Sequence, residues 1–197
     1  MDPRNITPSS ALRFVLAMPI LFVCVFACAQ QSASPAPPID TGKIYQMCSG
    51  QWAGTLEYRD FQSDKRVSLP TNLEATAKPN ASSLELSYTY DDGPSKIVHE
   101  SSTFSIDAAK HTLTMVSDGG KSREALSITR FDISTRTGRL TVAFSGTGQE
   151  NNKPVEVRST LTCGPNTLTL LRETRLPGQD FQFRDQYSLT RWPIQPY

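Results

Sequence analysis

Histidine is nearly missing from this chain of 197 residues: only His99 and His111 occur. A metal centre held by side chains normally takes three or four converging ligands, so no metal and no cofactor is expected. Charge of one sign is missing too, with 20 basic residues against 19 acidic ones, which argues against nucleic acid as a partner. No nucleophile turn of the kind that presents a catalytic serine is found, and an enzyme is not expected. Sustained helical periodicity is absent. The one long apolar run, Phe14 to Ala27, has 14 residues and is broken by Pro19, short of the roughly 20 that cross a bilayer as a helix.

That run has a different use. Arg4 and Arg13 precede it and small residues end it, the layout of a signal peptide. Two cleavage patterns compete. Ala27-Cys28-Ala29 fits the small-x-small rule, while Val25-Phe26-Ala27-Cys28 resembles a bacterial lipobox, whose cysteine would be lipidated. Residues 29–41 follow as a Pro/Ser/Ala-rich tether, as expected after a lipidated Cys28. The expected layout is a leader over 1–28, the tether over 29–41 and one domain over 42–197. Loss of Arg4, Arg13 and Asp2 with the leader takes the 20 basic and 19 acidic residues to 18 of each.

Cys48 and Cys163 remain in the folded part. In an exported protein two cysteines read as a disulfide, or as two separate buried thiols if the strands keep them apart. Alternation of period two dominates, as in Leu84-Glu-Leu-Ser-Tyr-Thr-Tyr90 and Leu140-Thr-Val-Ala-Phe144. Turn signals such as Asp91-Asp-Gly-Pro94, Asn151-Asn-Lys-Pro154 and Pro177-Gly-Gln-Asp180 separate these stretches. Strands are predicted near 51–60, 66–77, 82–91, 96–106, 111–117, 122–133, 139–148, 154–163, 167–175 and 181–191. A meander this long closes or splits into two sheets to hide its edges. The predicted fold is all-β, an antiparallel up-and-down barrel of about ten strands. Closure would bring Cys48 and Trp52, Cys163, and Arg191 to one rim, with the arginine over the buried indole.

Gly50-x-Trp52 opening the first strand, the segment Ile39 to Met47 available to plug the base, and Arg191 closing the last strand resemble the lipocalins and the wider calycin superfamily. The remainder, including Tyr88-Thr-Tyr-Asp-Asp-Gly-Pro94 and Gln186-Tyr-Ser-Leu-Thr-Arg191, resembles uncharacterised exported bacterial proteins of lipocalin-like type. The chain departs from ordinary lipocalins in lacking a C-terminal helix and in its strand number, which is nearer the intracellular fatty-acid-binding branch. Haem-binding barrels of nitrobindin type share this architecture, but no histidine near the last strands serves as an axial ligand. The resemblance implies a cavity for a small, largely apolar molecule.

Strict alternation from Trp52 puts Leu56, Tyr58, Leu86, Tyr88, Tyr90, Val142, Phe181, Phe183 and Tyr187 inward. Such an apolar wall with tyrosine hydroxyls suits a ligand with a polar end. A tail would run along Leu56, Leu86, Val142 and Phe183. Three charges also point in, toward the open rim: Glu100, Arg172 and Asp185. A buried charge must be paired, hydrated or used by a ligand. Arg172 either pairs with Asp185 on the adjacent strand or meets a ligand's carboxylate or phosphate. Asp91-Asp92-Gly93 is open to weak calcium binding or to a plain turn.

The sequence therefore predicts a monomeric cell-envelope protein facing the periplasm, or soluble there or secreted. Its partner is a small hydrophobic or amphipathic ligand, and its only membrane contact is the lipid anchor. The ligand-binding candidates are Tyr58, Tyr88, Tyr90, Glu100, Arg172, Asp185 and Tyr187, with Trp52, Arg191, Cys48 and Cys163 structural. The alternatives are a non-catalytic structural or interaction lipoprotein and a barrel enzyme using Glu100 and Asp185.

Overall fold

The computed structural model describes residues 38–192 apart from 79 and 81. The leader, Cys28 and residues 29–37 of the tether lie outside the described residues, and Thr41 at the tether's end opens the first helix. A short helix α1 (Thr41–Cys48) leads into ten strands: β1 (Gly50–Arg59), β2 (Arg66–Ala77), β3 (Leu84–Asp91), β4 (Ile97–Asp107), β5 (Thr112–Ser117), β6 (Ser122–Ser134), β7 (Arg139–Glu150), β8 (Lys153–Cys163), β9 (Thr167–Arg175) and β10 (Gln182–Arg191). Each strand pairs antiparallel with its sequence neighbours, and β10 pairs with β1 to close a barrel. All ten predicted strands are present, with ends within two residues of those expected. The turns use the residues their geometry demands. Asn151 and Asn152 both take positive φ, 48° and 59°, as a two-residue hairpin matched to strand twist requires.

One end of the barrel is sealed. Asp40 caps α1 by accepting a hydrogen bond from the Lys43 amide at 2.9 Å, and Ile44, Tyr45 and Cys48 face inward, fully buried. The Tyr45 hydroxyl accepts from the Ile106 amide at 2.8 Å, and its ring meets Phe104 edge-on. A disulfide joins Cys48 to Cys163 at the end of β8, so α1 is tied covalently to the wall.

Beside it the Trp52 indole donates to the Cys48 carbonyl at 3.1 Å. Arg191, the register partner of Trp52, lays its guanidinium 4.1 Å from the indole centre and donates to the carbonyls of Ser49 and Pro165. This explains the glycine of Gly50-x-Trp52. Gly50 has φ +128°, and a Cβ there would stand 2.3 Å from Arg191 Nη1.

Two bulges break the alternation, between Ile128 and Arg130 in β6 and between Phe183 and Asp185 in β10. The second corrects an expectation. The extra residue at Arg184 shifts the face of everything before it, so Phe183 and Phe181 lie outside rather than on the inner wall. The Arg66 guanidinium covers Phe183 at 3.9 Å, while Arg158 and Arg175 both stack on Phe181 at 4.4 Å.

Candidate functional site

The unsealed mouth lies at the C-terminal ends of the odd strands. Just inside it is a cavity of about 290 Å³, walled by Tyr88 and Tyr90 of β3, Glu100 and Ser102 of β4, Met115 of β5, Glu124 and Leu126 of β6, Phe144 of β7, Ser159 of β8, Leu170 and Arg172 of β9, and Asp185 and Tyr187 of β10, among others. A funnel of about 720 Å³ shares Met115, Ser117, Glu124 and Arg172 with it and is edged by Lys121 and Arg123. Deeper down, between Leu73, Leu84, Leu86, Phe104 and Leu168, only about 20 Å³ is open. The barrel is hollow in its upper half and packed in its lower half. The tail path expected along Leu56, Leu86, Val142 and Phe183 is therefore closed: Val142 is fully buried and Phe183 is outside. A recess of about 290 Å³ on the outer face, beside Trp192, Asn72 and Ser87, is separate from this interior.

Six of the seven predicted ligand-binding residues converge on the cavity: Tyr88, Tyr90, Glu100, Arg172, Asp185 and Tyr187. Tyr58 is half-buried and opposite Asp185 in register, but does not line the cavity. The tyrosines form one unit. Tyr88 stacks on Tyr90 with centroids 5.8 Å apart and tilts against Tyr187 at 5.2 Å, while the Tyr90 and Tyr187 hydroxyls bond at 2.8 Å. Burial raises the pKa of all three phenols above the ordinary value, so they stay protonated. Glu100 reaches this unit from the rim, 3.4 Å from the Tyr90 hydroxyl, and is otherwise exposed.

Arg172 does not pair with Asp185, its register partner. Its fork crosses the lumen from β9 to β6 and grips Glu124 through two bonds, Nη1 to Oε2 at 2.6 Å and Nη2 to Oε1 at 2.7 Å. Gly148 of β7 makes room for this bridge, since a Cβ there would lie 2.6 Å from Glu124 Oε1. Burial works against the charge of Arg172, but the bond to Glu124 with Asp185 and Glu150 nearby holds its pKa above the ordinary value.

Asp185 is left without a hydrogen-bond donor among the described residues. Burial lifts its pKa to about 6, against the pull of Arg172 and Arg184, and Glu150 and Glu124 add to the rise. Arg184, turned in by the bulge, lies 3.2 Å from Glu150 Oε1 and donates to the Arg59 carbonyl. Glu150 Oε1 is buried with no aligned hydrogen bond.

Glu124 was missed by sequence reasoning although Glu124-Ala-Leu126-Ser-Ile128 alternates plainly; the glutamate shares the inward face of Leu126. Ser159 was missed too, and the same alternation from Val157 to Leu161 signals it. His99 contacts the Thr89 hydroxyl at 3.1 Å, and His111 sits in a turn between β4 and β5. Among the described residues no three His, Cys, Asp or Glu side chains converge to hold a metal. Asp91 accepts from the Gly93 amide and Asp92 pairs with Lys96, the bonds of a turn. No family model and no curated protein matches this sequence.

Proposed function

We propose that this chain is an exported, lipocalin-like binding protein of the cell envelope, which holds a small amphipathic molecule in the mouth of its barrel and does not transform it. The observation that carries the reading is the cavity of about 290 Å³ inside a closed wall, near the lower end of the roughly 300 to 1,000 Å³ of ligand pockets. Its lining joins hydrocarbon from Leu126, Phe144 and Leu170 to the tyrosine unit and four charged groups, the mix that holds an apolar body and orients a polar end. The indole-arginine closure behind Gly50-x-Trp52 supports the lipocalin-like reading. The leader and tether support export and lipidation at Cys28, and the Cys48–Cys163 bond suits an oxidising compartment. A closed barrel without free strand edges supports a monomer.

The packed lower half favours a second reading, a structural or interaction lipoprotein whose interior is merely filled. Native mass spectrometry of protein purified gently from its own envelope separates the two. A small noncovalent adduct on the chain is expected, together with a lipid on the wild type that Cys28→Ser lacks. A spectrum without an adduct, with no binding of any cationic, anionic or neutral amphipath to the emptied protein, would overturn the binding reading.

A further inference from the structure

The cavity has an uneven charge balance. Its lining contains three carboxylates, Glu100, Glu124 and Asp185, and one guanidinium, Arg172. Glu124 occupies both terminal nitrogens of that guanidinium. Arg184, the other arginine turned toward the mouth, is committed to Glu150 and to the Arg59 carbonyl. An anionic headgroup would thus find the end-on fork of Arg172 taken and would face Glu100 and Asp185, neither of which is hydrogen-bonded by a guanidinium among the described residues. A cation would find the reverse.

A second observation is independent of charge. Tyr88 and Ser159 are 7% and 5% exposed, both line the cavity, and neither hydroxyl has a hydrogen-bond partner among the described residues. Both hydroxyls open onto the cavity rather than being sealed in the core, where the one side-chain atom without a partner among the described residues is Glu150 Oε1. A guest that brings donors and acceptors into the cavity would satisfy them, and aromatic faces beside carboxylates are the surroundings in which ammonium groups are bound.

Resting on the binding-protein reading above, we propose that the cavity takes a small organic cation, an amine-headed molecule held by Asp185 and Glu100 against Tyr88, Tyr90 and Tyr187. The floor of Leu73, Leu84 and Leu86, with about 20 Å³ open beneath the cavity, limits the guest to a compact body and excludes a long alkyl tail. This reverses the anionic preference that Arg172 suggests when the sequence is read alone.

Calorimetric titration of the full processed chain with three probes of matched shape tests it: phenethylamine, phenethyl alcohol and hydrocinnamate, which carry a cationic, a neutral and an anionic end. The amine should bind at least about tenfold more tightly than either of the others, the step expected when a charge-assisted hydrogen bond is gained. Asp185→Asn should bring the amine down to the alcohol, and Glu100→Gln, at the exposed rim, should lower it by a smaller factor. Thermal melts of both variants confirm that they are folded. Equal binding of the three probes, or tightest binding of hydrocinnamate, overturns the cation assignment while leaving the cavity a binding site. Binding of none of them, with an adduct-free native spectrum, overturns the binding reading as well.

Discussion

Arg172 and Glu124 offer the sharpest test of how the mouth is held together. Their side chains are 24% and 19% exposed, so the pair is largely but not wholly withdrawn from water. Removing one partner of a fully buried pair costs about 3 to 5 kcal/mol, chiefly because the other charge is stranded, whereas replacing both with apolar groups is often neutral. Partial exposure lowers the first figure, and Arg172→Met should cost about 2 to 4 kcal/mol. Arg172→Met/Glu124→Leu should recover most of that loss.

The assay is equilibrium urea unfolding at pH 7.5 with the disulfide intact, comparing midpoints at a common slope. The reasoning fails if Arg172→Met lies within about 0.5 kcal/mol of wild type, the behaviour of a surface pair. It fails equally if the change at Glu124 gives no rescue while Asp185→Asn stabilises the Arg172→Met background by clearly more than it stabilises wild type. That outcome would place the guanidinium on its register neighbour and return the site to the pairing expected from alternation.

The disulfide and Asp185 provide the remaining tests. Cys48 and Cys163 are 115 residues apart, and in the chain-entropy view a loop of that order is worth about 4 to 5 kcal/mol; the double alanine variant should lose about that much in the same urea assay, and peptide mapping of unreduced protein should find no free thiol at either position. Asp185, facing Arg172, Arg184, Glu150, Glu124, Tyr88 and Tyr187, has its pKa raised to about 6 in the folded state, so the native protein binds the proton more tightly than the unfolded chain. Stability from this group is present below about pH 4 and is lost as pH rises through about 6, a difference of about 2 to 3 kcal/mol. Asp185→Asn should therefore stabilise the fold at pH 7.5 and leave it little changed at pH 4. A variant less stable than wild type at pH 7.5 would refute this.

Much of the fold was legible because each strand has one face in a core and one in water. Leu84-Glu-Leu-Ser-Tyr-Thr-Tyr90 announces its inner face by period alone, and Asn151-Asn152 announces its turn because two residues with positive φ are needed there. The rim that joins Cys48, Trp52, Cys163 and Arg191 follows from strand parity. What was not legible depends on single residues or on distances across the lumen. A bulge has no compositional mark, and the one before Asp185 moved Phe181 and Phe183 outside while turning Arg184 in. Alternation tells which residues point inward, not how far a side chain reaches. Alternation thus offered Arg172 its ladder neighbour or a ligand as partner, whereas its partner stands three strands away on β6.

That choice of partner explains why the mouth has an unused carboxylate. Asp185 and Arg172 are opposite one another in the β9–β10 register, so a local ion pair was available without any long reach. Gly148 opens the space through which Glu124 meets the guanidinium instead, and a Cβ at that position would strike both partners, at 2.6 Å from Glu124 Oε1 and 3.3 Å from Arg172 Nη2. On the outside of the same strands, by contrast, Glu173 is bound by Arg158, and Glu156 by Arg175. The exterior carboxylates of β8 and β9 are therefore paired, while the interior one on β10 is not, and burial makes it the more costly of the two to leave alone. A barrel whose interior served only packing would lower its free energy by replacing Asp185 with an uncharged residue. With its pKa raised by burial despite the pull of Arg172 and Arg184, the ionised Asp185 costs folding stability near neutral pH, and a cation placed beside it would offset that cost.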